Sequence, residues 1–109
     1  MDQLQLIVKK FIKNNNWNSP IDHRTLDLVS ELGELSKEII KLNNYGRDLD
    51  KNKKVNSSSR NDIKKIKDEM GDVMFSLINI ANYFDINSET VTKHSIVKYK
   101  NRLNKSTNE

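Results

Sequence analysis

Leu4, Ile7, Val8 and Phe11 recur at steps of three, one and three, the spacing that lines one face of a helix. The pattern predicts a first helix over residues 2–13, ended by the Asn14-Asn15-Asn16 run. Residues 17–21, which hold the single proline, Pro20, read as a loop. Asp22 then offers a capping carboxylate to a second helix, whose apolar stripe of Leu28, Leu32, Leu35, Ile39 and Leu42 runs to about residue 43. A third stripe, Ile66, Met70, Val73, Leu77, Ile80 and Phe84, predicts a helix over residues 62–84, stopped at Asp85-Ile86-Asn87. The hydroxyl of Ser88 can cap a fourth helix that continues to about Leu103, before a frayed polar tail at 104–109. Residues 45–60, YGRDLDKNKKVNSSSR, are poor in apolar side chains and rich in charge, and read as a long flexible loop. With three glycines and one proline the sequence lacks the regular turn punctuation of an all-β protein, and the fold class expected is all-α, a four-helix protomer in a single domain, 1–109.

Composition changes this picture in two ways. Only 35% of the 109 residues are apolar and 31% are charged, which is lean for a chain that must bury its own core. Yet Val73, Met74, Phe75, Leu77, Ile78, Ile80 and Ala81 leave the third helix little polar surface around its circumference. A helix apolar on nearly all sides needs cover on nearly all sides, so the expectation is an oligomeric bundle, a homodimer or homotetramer. The absence of cysteine rules out disulfides and thiolate metal sites, and His23 and His94 cannot make a zinc cluster alone, so any metal must be held mainly by oxygen. Asp2, Lys9, Lys10 and Lys13 interrupt the N-terminal apolar residues, and no window approaches a membrane span; the expectation is a cytoplasmic protein without a membrane partner. A net charge of +4 suits phosphate-bearing partners, but a lysine- and asparagine-rich coding bias produces the same excess.

The acids of the two central helices are not scattered. At about 100° per residue, Glu31, Glu34 and Glu38 share an arc roughly 60° wide beside the apolar stripe of their helix. Glu69 and Asp72 border the stripe of the third helix in the same way. When the stripes pack, both acid pairs should meet near one seam, where mutual repulsion and partial burial call for a cation. Magnesium prefers oxygen ligands and keeps positions open for water and phosphates, and the i, i+3 spacing lets both acids of a pair reach one ion. For a single E-x-x-E, pairing with lysines of a neighbouring helix is an ordinary explanation. Two pairs on separate helices, each followed by an apolar run and each enclosing a glycine, Gly33 or Gly71, favour a metal; a glycine inside a helix costs about 1 kcal/mol and suggests close approach of backbone or ligand.

Ser30-Glu31-Leu32-Gly33-Glu34-Leu35, followed by Asp68-Glu69-Met70-Gly71-Asp72-Val73-Met74-Phe75, resembles the paired E-x-x-E and E-x-x-D signature of MazG-like nucleotide pyrophosphohydrolases. The resemblance extends through the apolar run and turn at 77–87 to the basic segment Lys98-Tyr99-Lys100-Asn101-Arg102. It implies an all-α NTP pyrophosphatase fold and hydrolysis of nucleoside triphosphates to the monophosphate and pyrophosphate, possible work for a nucleotide-pool house-cleaning enzyme. By position it implies Glu31, Glu34, Glu69 and Asp72 as ligands of magnesium, with manganese as a substitute. The chain departs from many members at Ser30, where they have Glu, and in the 34 residues between Glu34 and Glu69.

Around this set, Glu38 is expected either to orient the attacking water or to help hold a second metal; the alternative is a solvated glutamate paired with Lys41. Lys98 and Arg102, one turn apart, are candidates for phosphate oxygens, with Lys93 and Tyr99 beside them, although a basic terminal helix is often only a wet face. Trp17 and His23 flank the start of the second helix, where a ring could stack on a base; for Trp17 the competing role is an anchor for the first helix. The rival reading of the whole chain is a helical nucleic-acid- or protein-binding module without catalysis, whereas nucleic acid is not an expected partner of the enzyme. A carboxylate-bridged iron protein is disfavoured because neither histidine follows a glutamate by three residues. A phosphoribosyl-ATP pyrophosphohydrolase would share the chemistry and differ in substrate.

Overall fold

The computed structural model describes residues 2–43 and 57–107, which form four helices with no strand among the described residues. They are α1 (Gln3–Asn14), α2 (Ile21–Leu42), α3 (Ser57–Tyr83) and α4 (Ser88–Thr107), as the apolar periodicity requires of an all-α chain. The contacts divide into two compact units, one of Met1–Asn18 with Ile78–Glu109 and the other of Ser19–Leu77; α3 runs through both. No helix is long and apolar enough to cross a membrane.

Helix ends differ from expectation in ways that have local causes. Asp2 caps α1 from outside, its side chain accepting the Gln5 N–H at 2.9 Å. α2 begins one residue before the expected Asp22 cap: Pro20 takes the cap position with extended ψ of 151° and no side-chain bond, and Asp22 instead faces the positive end of the helix from its first turn. α3 starts at Ser57, so residues 57–60, expected as loop, are helical; the remainder of that loop, 45–56, lies outside the described residues. α4 likewise continues beyond Leu103 to Thr107, making most of the expected frayed tail helical. Both extensions follow from cooperativity: once a helix is nucleated by its apolar stripe, each further residue adds a hydrogen bond at little cost unless Gly or Pro intervenes. Ser88 does not cap α4. Asn87 does, its Oδ1 accepting the Thr90 N–H at 2.9 Å, while the Ser88 hydroxyl donates to the Asp2 carboxylate.

In the first unit Val8, Ile12 and Ile78 are buried around a polar residue, Gln5, that is fully inaccessible. Its amide is satisfied on both sides. Nε2 donates to Asn82 Oδ1 at 3.1 Å and to the Ile86 carbonyl at 2.7 Å, and Oε1 accepts the Ser88 N–H at 2.8 Å. Asn82 returns a bond from Nδ2 to the Gln5 carbonyl at 3.0 Å. The amide therefore ties α1 to the α3–α4 turn, where Asp85 adopts a left-handed φ of 54° and the Ile86 N–H closes back onto Ala81 at 2.9 Å. Trp17 packs edge-on against Phe11, ring centroids 5.4 Å apart, and favours the anchoring role over base stacking.

In the second unit no apolar side chain is fully buried among the described residues. Leu32, Met70, Met74 and Leu77 retain 50%, 46%, 50% and 54% exposure, although the amphipathic pattern assigns all four to apolar surface. Arg24 is buried, its Nε donating to the Ser19 carbonyl at 2.8 Å and fixing the chain ahead of α2.

Candidate metal centre

The second half of α2 and the middle of α3 supply the acids of the second unit. Leu28 and Leu35 on α2, and Ile66 and Val73 on α3, are half-buried, which turns the adjacent acid arcs inward with them. Carboxylate oxygens of Glu31, Glu69 and Asp72 lie within 4.8 Å of one another. Glu31 and Glu69 are half-buried and Asp72 is exposed, so the group opens to solvent on one side. Glu34 is exposed and stands outside this trio, yet its charge is felt at Glu69.

Electrostatics at Glu69 test whether the residues suit a cation. Burial first, then the negative charges of Glu31, Asp72 and Glu34, and finally a hydrogen bond with Glu31, push the Glu69 carboxyl above its ordinary range. These influences all favour a proton where a metal ion would otherwise sit. A second sign comes from Glu38, one turn beyond Glu34. Its Oε2 is buried and has no hydrogen-bond partner among the described residues, so that oxygen does not serve the alternative pairing with Lys41. An unpartnered buried carboxylate oxygen is costly, and a donor or cation relieves it. An all-oxygen donor set with excess negative charge fits a hard divalent cation such as magnesium.

The glycines answer half of what was expected of them. A Cβ at Gly33 or Gly71 would meet nothing within 4 Å, so among the described residues no close backbone approach explains either glycine. The remaining expected site residues belong to other segments of the chain. Lys93, Lys98, Tyr99 and Arg102 lie on α4 and Trp17 follows α1, all in the first unit, while exposed His23 sits in the first turn of α2. Lys93 is engaged by Glu89 at 2.8 Å in an i, i+4 pair. Lys98 Nζ and the Arg102 guanidinium lie 5.7 and 5.4 Å from the centre of the Tyr99 ring. The burial of Glu38 Oε2 and the separation of Glu34 from the trio are not revealed by spacing along the helix.

The sequence model of the MazG nucleotide pyrophosphohydrolase domain matches residues 22–107, which contain all five of these acids. Neither a curated protein nor a solved structure matches the chain.

Proposed function

The chain belongs to the MazG nucleotide pyrophosphohydrolase family, and from that premise we propose that it hydrolyses nucleoside triphosphates, deoxy and non-standard ones among them, to the monophosphate and pyrophosphate. The observation that carries this reading is the convergence of Glu31, Glu69 and Asp72 within 4.8 Å, with a Glu69 carboxyl that burial and then the neighbouring charges hold above its ordinary range. We assign magnesium, or manganese in its place, to Glu31, Glu34, Glu69 and Asp72. When bound, the ion offsets charge on the phosphoryl group and on the departing pyrophosphate.

The chain's own residues do the rest. Glu31 and Glu69 would hold the cation as carboxylates, which would offset the crowding that raises the Glu69 carboxyl. Asp72 and Glu34, on the exposed side, leave the centre accessible to a phosphate tail. Glu38 is assigned to the attacking water, its carboxylate accepting a hydrogen bond that aligns the water with the α-phosphorus. The water oxygen forms the new bond to phosphorus, the bond to the α,β-bridging oxygen breaks, and pyrophosphate leaves with that electron pair while the water proton passes to solvent. House-cleaning of the cytoplasmic nucleotide pool would use this reaction. Half-exposed Leu32, Met70, Met74 and Leu77 support a homodimer or homotetramer in which a second copy covers them.

The test is a panel of standard, deoxy and modified triphosphates with magnesium, read as pyrophosphate release, with Glu69→Gln as control. The expected result is magnesium-dependent release from at least one triphosphate and a loss of at least about a hundredfold in the variant. Release that persists undiminished in Glu69→Gln, or no release from any member of the panel, would remove the reading in favour of a binding module.

A further inference from the structure

The chain's positive charge is unevenly placed. Residues 19–77 balance eleven acids against eleven bases, so the whole net charge of +4 falls on the unit of Met1–Asn18 and Ile78–Glu109. From Thr90 to Asn108 the sequence has five bases and no acid. Lys98 and Arg102, expected to hold phosphate oxygens, are the middle two of a row. His94, Lys98, Arg102 and Lys105 follow one another at steps of four, four and three along α4, and all four are exposed.

At about 1.5 Å per residue this row is about 16 Å long, whereas the phosphate tail of a single nucleotide needs only two neighbouring turns. The acid of α4, Glu89, is held at 2.8 Å by Lys93, and both belong to a different arc of the helix. Beside the row stands the half-exposed ring of Tyr99, flanked by Lys98 at 5.7 Å and Arg102 at 5.4 Å. An acid-free line of cations with an aromatic ring at its edge suits a sugar-phosphate strand whose bases are unstacked: charges follow the phosphates and the ring takes a base.

We propose that α4 carries a binding surface for single-stranded nucleic acid, running along His94, Lys98, Arg102 and Lys105 with Tyr99 as its stacking platform. This surface is independent of the pyrophosphohydrolase reading, and it revises the expectation that nucleic acid is not a partner.

The experiment is fluorescence anisotropy of the full chain with a labelled oligothymidylate lacking terminal phosphates, in EDTA, across a salt series. Binding is expected at about 50 mM salt, with a log–log salt slope near −2, since three permanent cations contribute about 0.7 each. Lys98→Gln with Arg102→Gln should lower affinity about tenfold and flatten the slope by about 1.4, while Arg102→Lys keeps the slope. Tyr99→Leu should weaken binding about tenfold with the slope unchanged, because stacking releases no counterions. Lys64→Gln with Lys65→Gln removes the same charge from the exposed face of α3 and should change little. Circular-dichroism melts like that of the parent chain establish that each variant folds. The proposal fails if no binding is seen at about 50 mM salt, if the α3 control loses as much as the α4 pair, or if anionic phospholipid vesicles capture the protein more tightly than the oligonucleotide.

Discussion

Glu69 concentrates the cost of the candidate metal centre in one side chain. Its carboxyl is raised above the ordinary value of 4.5 by burial and by Glu31, Asp72 and Glu34, so the contribution it makes to stability is present below that value and is lost as pH rises through the higher one. Metal-free protein is therefore expected to lose thermal stability on going from acid toward neutral pH. Glu69→Gln should flatten that part of the Tm–pH curve in EDTA, and, on the proposed metal assignment, should also abolish the rise in Tm expected when magnesium is added to the parent chain at neutral pH. A curve that is equally steep in the variant would place the repulsion elsewhere. The glycines yield a second expectation. With open space where a Cβ would stand, Gly33→Ala or Gly71→Ala should raise the unfolding free energy by about 1 kcal/mol, measured by urea denaturation without metal. Much of the centre was legible because an acid at i and another at i+3 beside an apolar stripe must follow that stripe inward. Two things were not. The separation of Glu34 from the trio and the burial of one Glu38 oxygen depend on side-chain packing, which helical spacing does not encode.

Among the helices, the interior of the first unit turns on a buried amide rather than on apolar packing alone. Gln5 meets Asn82, the Ile86 carbonyl and the Ser88 N–H at once, so its loss strands several groups away from water. Gln5→Leu should cost about 3 kcal/mol in chemical denaturation, because the stranded groups keep their desolvation penalty. Nearby, Asp2 is held below its ordinary range by the Ser88 hydroxyl and the Gln5 N–H; what it contributes is present above 3.8 and is lost as pH falls through its depressed value. Asp2→Asn should accordingly remove part of the acid sensitivity, read from Tm between acidic and neutral pH. The apolar stripes identified α1, α2 and α3, and a capping position after the turn at 85–87 identified α4, but Gln5 occupies what the pattern treats as a polar gap between Leu4 and Leu6. A buried amide is indistinguishable in sequence from an exposed one, since only the tertiary partners decide. Helix ends were the other weak point: Ser57 lies before the apolar repeat that identifies α3 and Thr107 beyond the expected end of α4, and cooperativity carried the backbone on.

For the molecule as a whole, the absence of any fully buried apolar side chain among the described residues of the second unit bears on assembly. Sedimentation at micromolar concentration should give a mass above that of one 12.7 kDa chain, and Met74→Glu, a charge placed on half-exposed apolar surface, should shift it toward the monomer. If the parent chain sediments as a monomer throughout, the apolar surface has another use. The acids of the centre sit on this same poorly covered pair of helices. Subunit exchange and metal retention should then obey a common law of mass action: each loss of a neighbour loosens the scaffold that holds the carboxylates in register. Dilution alone would act on such a protein as a mild denaturant, and the nanomolar solutions of a sensitive assay would report the properties of a species that more concentrated ones scarcely contain.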